Sequence, residues 1–173
     1  MKILAIVLVP ILILIKYIFS MKKLDKKVMD FDNMALPRGI RNNNPGNIRI
    51  SDSNPWKGKI SKDKNSDGSF EQFENMKFGV RALTKLGWTY LRINPNHTIQ
   101  TFIAKYAPST ENNSMAYSDF IAKELGTKVN AYVRDIYNDS SKQYQFILAI
   151  IKHENGVSYD NVLVKEGVKL GNE

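Results

Sequence analysis

A chain of 173 residues, 43% hydrophobic and 24% charged, has room for one globular domain with a real core. It contains no cysteine, which excludes disulfides and thiolate metal sites. A formal net charge of +8 calls for an anionic partner, but no run of basic residues is dense enough to favour nucleic acid over a membrane or an anionic cell-wall polymer.

The first element is apolar: Ile3–Phe19 reads ILAIVLVPILILIKYIF, broken only by Pro10 and Lys16. As a helix it would span about 26 Å, close to the hydrocarbon thickness of a bilayer. No small-residue cleavage site follows it, so residues 1–20 read as an uncleaved transmembrane anchor rather than a signal peptide. Lys22, Lys23, Lys26 and Lys27 place the following chain on the positive-inside face. A viral membrane, inherited from a cell, reconciles that orientation with an enzyme acting elsewhere; a bacterial inner membrane with the domain facing the periplasm is the other location. Residues 21–36 read as a juxtamembrane linker, and the domain proper as 37–173.

Next comes Arg41–Arg49, RNNNPGNIR. Pro45-Gly46 fits the centre of a type II turn, and the amides of Asn43, Asn44 and Asn47 would be offered to the hydroxyl and acetamido groups of a sugar. A self-capping turn without a ligand is the plainer alternative. Asn47–Ile50 and Phe70–Phe73 predict two short strands. Trp56, beside Pro55 and Gly58, is placed to stack on a sugar face. Between the strands, Asp63-x-Asn65-x-Asp67-Gly68 with Glu74 fits a calcium-loop pattern, but without the flanking helices such a loop needs, so a polar turn is expected and no metal.

From Met76 the period is helical. Ala82, Leu83, Leu86 and Tyr90 share one face, and Ile99, Phe102, Ile103 and Tyr106 share another. Tyr117, Phe120, Ile121 and Leu125 predict a third helix stopped by Gly126, and Val129 to Tyr137 a fourth. Ser140 to Gln143 offers a capping box for a fifth helix ended by Gly156, and Tyr159 to Leu170 a weaker sixth. The fold class is α+β and mainly helical.

In the fifth helix Glu154 lies seven, four and three positions beyond Ile147, Ile150 and Ile151, in the middle of their apolar stripe. A carboxylate there should be desolvated and its pKa raised, as a general acid requires. A solvated Glu at a frayed helix end is the alternative, and Glu74 is a reserve candidate. His97 and His153 are too far apart to propose a zinc site.

Arg38-Gly39-Ile40-Arg41-Asn42-Asn43-Asn44-Pro45-Gly46-Asn47-Ile48-Arg49, then Trp56-x-Gly58, Phe70-x-x-Phe73 and Gly79-Val80-Arg81-Ala82-Leu83 resemble a family of phage and prophage virion proteins. The likeness continues through Tyr106-Ala107-Pro108, Glu111-Asn112-Asn113 and Tyr117 to Glu154-Asn155-Gly156. Members are described as structural proteins or peptidoglycan-degrading transglycosylases. More distantly, Asn42 to Ile48 and Trp56-x-Gly58 are similar to a loop of cell-wall glucosaminidases and lytic transglycosylases of the lysozyme superfamily. There a catalytic Glu closes a helix just upstream of the loop; here only Asp30 and Asp32 precede it. The resemblance therefore implies a lysozyme-like domain in a circularly permuted arrangement, with Glu154 as acid and Glu111 or Asn112 lining the same groove. Together with the apolar leader, this gives the expectation of a membrane-anchored peptidoglycan glycosidase without a cofactor, whose partners are peptidoglycan, a membrane through residues 3–19 and other virion proteins. A non-catalytic virion protein that binds peptidoglycan is the competing expectation.

Overall fold

The computed structural model describes residues 36–108 and 113–173, and the unit treated below runs Pro37–Glu173. The expected anchor at residues 3–19, the linker up to residue 35, Glu111 and Asn112 lie outside the described residues. Among the described residues seven helices follow in chain order: α1 Arg38–Arg41, α2 Met76–Ile93, α3 Ile99–Tyr106, α4 Ser114–Glu124, α5 Val133–Tyr137, α6 Ser140–Asn155 and α7 Val162–Asn172. Among the described residues no helix is long and apolar enough to cross a membrane.

Helix α6 runs through the core. Its Phe146, Ile147, Ile150 and Ile151 are fully buried together with Ile99, Phe102 and Ile103 of α3 and Tyr117 and Ile121 of α4. Helices α2 and α7 pack at very short range. A methyl group on Gly167 would fall 2.5 Å from Cβ of Val80, and one on Gly171 2.4 Å from Cβ of Thr84, so these two glycines set the helix spacing.

Three expected elements differ. The fourth helix begins at Val133 rather than Val129, because the carbonyls of Val129 and Ala131 accept the free N–H groups of Gln100 and Ile99 in the first turn of α3. The cap of α6 is Asp139, one residue before the expected box: its carboxylate accepts from the N–H groups of Ser141 and Lys142, while Gln143 is buried against Asn172. An ionised cap at the positive end of a helix outcompetes a serine hydroxyl. The two strands reduce to isolated bridges, Arg49 with Phe70 and Lys59 with Phe73. Side chains interrupt the ladder, since Asn44 takes both the N–H and the carbonyl of Ile48 and also the carbonyl of Glu71.

Candidate active site

The Asn-rich loop is built from within. Asn44 is completely buried; both its amide hydrogens are donated, at 2.9 Å each, to the carbonyls of Ile48 and Glu71, and its oxygen accepts from the Ile48 N–H at 3.0 Å. It has nothing left to offer a sugar, which corrects the expectation that it binds substrate. Asn43 adopts a left-handed φ of 52° and donates to the carbonyl of Phe73, and Asn47 adopts φ 46°. Those two residues supply the left-handed turns, so Pro45-Gly46 is not the expected type II turn. Gly46 is required by space instead: a methyl group there would lie 2.8 Å from the Tyr106 hydroxyl and 2.9 Å from Leu83. That hydroxyl donates to the Gly46 carbonyl.

The C-terminal end of α6 docks onto this loop. Asn155 donates to the carbonyl of Pro45 at 2.8 Å and to Ile151 of its own helix, and Gly156 then leaves the helix with φ 69°. The docking brings Glu154 face to face with Asn47, whose amide donates to Oε2 of Glu154 at 2.9 Å. Tyr117, reaching in from α4, donates its hydroxyl to Oε1 at 2.9 Å. The Tyr117 ring is stacked on His153 with centroids 3.5 Å apart.

Burial pushes the Glu154 carboxyl above its ordinary range, and this outweighs the opposing pull of the Asn47 and Tyr117 hydrogen bonds and the Arg38 guanidinium. Among the described residues the charge that bears on Glu154 is the Arg38 guanidinium. The Tyr106 and Tyr117 hydroxyls are held well above the usual phenol range by burial, with the nearby Glu154 charge adding to it. Burial lowers the His153 imidazole. The arrangement favours the protonated carboxyl over the ionised one more than water would, as a group that passes a proton to a bound oxygen requires.

Replacing Tyr117 with Phe removes one bond that favours the ionised carboxylate while keeping the ring stack. The Glu154 carboxyl, followed by NMR, should then titrate at higher pH than in the wild type; titration at the same or lower pH would mean the hydroxyl does not hold it.

The other expected site residues differ in their surroundings. Trp56 is half-buried against the core with its indole nitrogen enclosed and unpartnered. Glu74 is exposed before α2, without the burial that a proton donor near neutral pH needs. In the Asp63–Glu74 loop the oxygens face donors: Asn65 Oδ1 accepts from the N–H groups of Asp67 and Gly68, and Asp67 accepts from Ser69, Phe70 and Asn42. These are the bonds of a polar turn. Chelator should therefore leave the melting temperature unchanged, and a drop reversed by calcium would contradict the turn.

Sequence reasoning passed over Glu71. It is fully buried, ion-paired to Lys59 at 2.9 Å and accepting from the Ser51 N–H at 3.1 Å. The available signal was strand alternation: Phe73 points inward, and two residues back so does Glu71.

These features define a mainly helical domain organised around one desolvated glutamate at a helix end. No family model matches the chain. It is 32% identical over 140 residues to "Protein P5" of Pseudoalteromonas phage PM2, an alignment covering 78% of this chain and 81% of that protein. The chain belongs to the family of this phage protein.

Proposed function

We propose that the protein is a virion-associated, membrane-anchored peptidoglycan glycosidase of the lytic transglycosylase or muramidase type, with a permuted lysozyme-like fold. It would open the cell wall as the phage enters or leaves its host, with Ile3–Phe19 as the anchor. The observation that carries this reading is Glu154, half-buried at the end of α6 and gripped by Asn47 and Tyr117.

With its pKa raised, Glu154 can give its proton to the glycosidic oxygen as the C–O bond breaks, leaving an oxocarbenium-like sugar and a carboxylate. That carboxylate can then take a proton either from water or from a hydroxyl of the same sugar as the oxygen closes on the cationic carbon. The proton count returns to its start with one carboxyl group. A two-carboxylate retaining mechanism would need a second acid about 5–5.5 Å away; among the described residues the charge that bears on Glu154 is the Arg38 cation.

The competing reading is a non-catalytic virion protein that binds peptidoglycan. It is favoured by the inward use of the Asn44 and Asn47 amides, which makes the loop a structural bolt. A zymogram on peptidoglycan with the full-length protein in detergent separates the two. Clearing by the wild type and none by the Glu154→Gln variant supports the glycosidase with Glu154 as its acid; no clearing by either supports the binding protein, and equal clearing by both removes Glu154 from the reaction.

A further inference from the structure

Helix α1 lies against the residues that hold Glu154. A methyl group on Gly39 would fall 2.4 Å from Oδ1 of Asn155 and 3.1 Å from Oδ1 of Asn47. The neighbouring Arg38 is exposed, and its guanidinium carbon rests 4.2 Å from the centroid of the Phe70 ring. Stacking occupies the face of a guanidinium and leaves its in-plane N–H edge for a planar anion. Among the described residues Arg38 makes no ion pair. One acid it influences, Asp67, already accepts from Asn42, Ser69 and Phe70.

We propose that Arg38, stacked on Phe70 and next in sequence to the Gly39 that packs on Asn47 and Asn155, is a specificity residue that binds a carboxylate of the bound glycan and so selects acidic cell-wall strands over neutral ones. The proposal rests on the glycosidase reading above. In peptidoglycan the carboxylate has two sources: the lactyl group of a muramic sugar freed of its peptide, or the carboxylates of the attached peptide stem. Both match the bidentate geometry of a guanidinium. The charge of Arg38 also reaches Glu154 and opposes the effect of burial on it. An anion seated on Arg38 would weaken that opposition, so a correct substrate would help keep the acid protonated.

The test uses the full-length Glu154→Gln protein in detergent, with and without Arg38→Gln, and measures binding to three glycans. These are a neutral N-acetylglucosamine oligomer, glycan strands stripped of peptide, and strands carrying their stems. Arg38→Gln should weaken binding to one or both acidic glycans by on the order of tenfold and leave the neutral oligomer unchanged, with Arg38→Lys recovering only part. Loss confined to stripped strands identifies the lactyl group; loss confined to stemmed strands identifies the peptide. Equal loss on all three glycans, or no loss on any, overturns the role of Arg38 while leaving the glycosidase reading intact. Failure of the parent protein to bind any glycan overturns both.

Discussion

Replacing Glu154 with Gln should lower peptidoglycan cleavage by roughly a hundredfold to ten-thousandfold while the protein stays folded. Gln keeps the length and an oxygen that can accept from Asn47, and Tyr117 can turn its hydroxyl to accept from the new amide. What is lost is the transferable proton. A second readout does not depend on turnover. The folded carboxyl titrates above its unfolded value because it is buried. Between those two values the native state binds more protons than the unfolded chain, so wild-type stability falls as pH rises through the window. Gln has no such window. The melting temperature of the variant should therefore gain on that of the wild type between acidic and neutral pH. A pH-independent difference would show that Glu154 is solvated and no acid, whatever the zymogram reads.

Much of the helical frame was legible because apolar spacing reports directly which face is buried. Ile99, Phe102 and Ile103 follow the template and are all buried, and the glycines at 126 and 156 both take left-handed φ values just beyond their helices. Glu154 was legible for the same reason, since its own helix places it on the apolar stripe. The asparagines were harder. An amide can saturate a ligand or a backbone with the same donors and acceptors, and sequence does not say which way it faces. Asn44 turned inward and Asn47 turned toward Glu154, and each choice depends on partners far along the chain: Glu71 for one, α6 for the other. Tyr117 was visible as a core residue, but its hydroxyl finds Glu154 37 positions away, a contact no local pattern encodes. The Lys59–Glu71 pair was hidden likewise, because an isolated bridge between Lys59 and Phe73, rather than a regular strand, brings the two together.

The largest expected effect on stability comes from Gly79, buried on α2. Replacing it with Ala should destabilise the domain, even though Ala is the better helix former by about 1 kcal/mol in a helix interior. The reason is that α2 touches the backbone of the Asn loop there. The added methyl carbon would lie 1.9 Å from the carbonyl oxygen of Asn43 and 2.9 Å from its carbonyl carbon. No rotamer relieves an overlap with backbone, so either the helix or the loop must shift, and overpacking of this kind costs about 1–3 kcal/mol or somewhat more. The cost exceeds the propensity gain, and a fall in melting temperature of roughly 5 °C follows for a domain of this size. The loop is the softer side. Its displacement would draw Asn47 away from Glu154, because the turn from Asn44 to Asn47 is closed by its own backbone bond, 2.9 Å from the Asn47 N–H to the Asn44 carbonyl, and moves as one piece. Gly79→Ala should therefore lose cleavage activity at temperatures where it is still fully folded by circular dichroism. A variant that melts at or above the wild-type temperature would show that the loop does not rest on α2, and the support for the Asn47–Glu154 contact would have to be sought elsewhere.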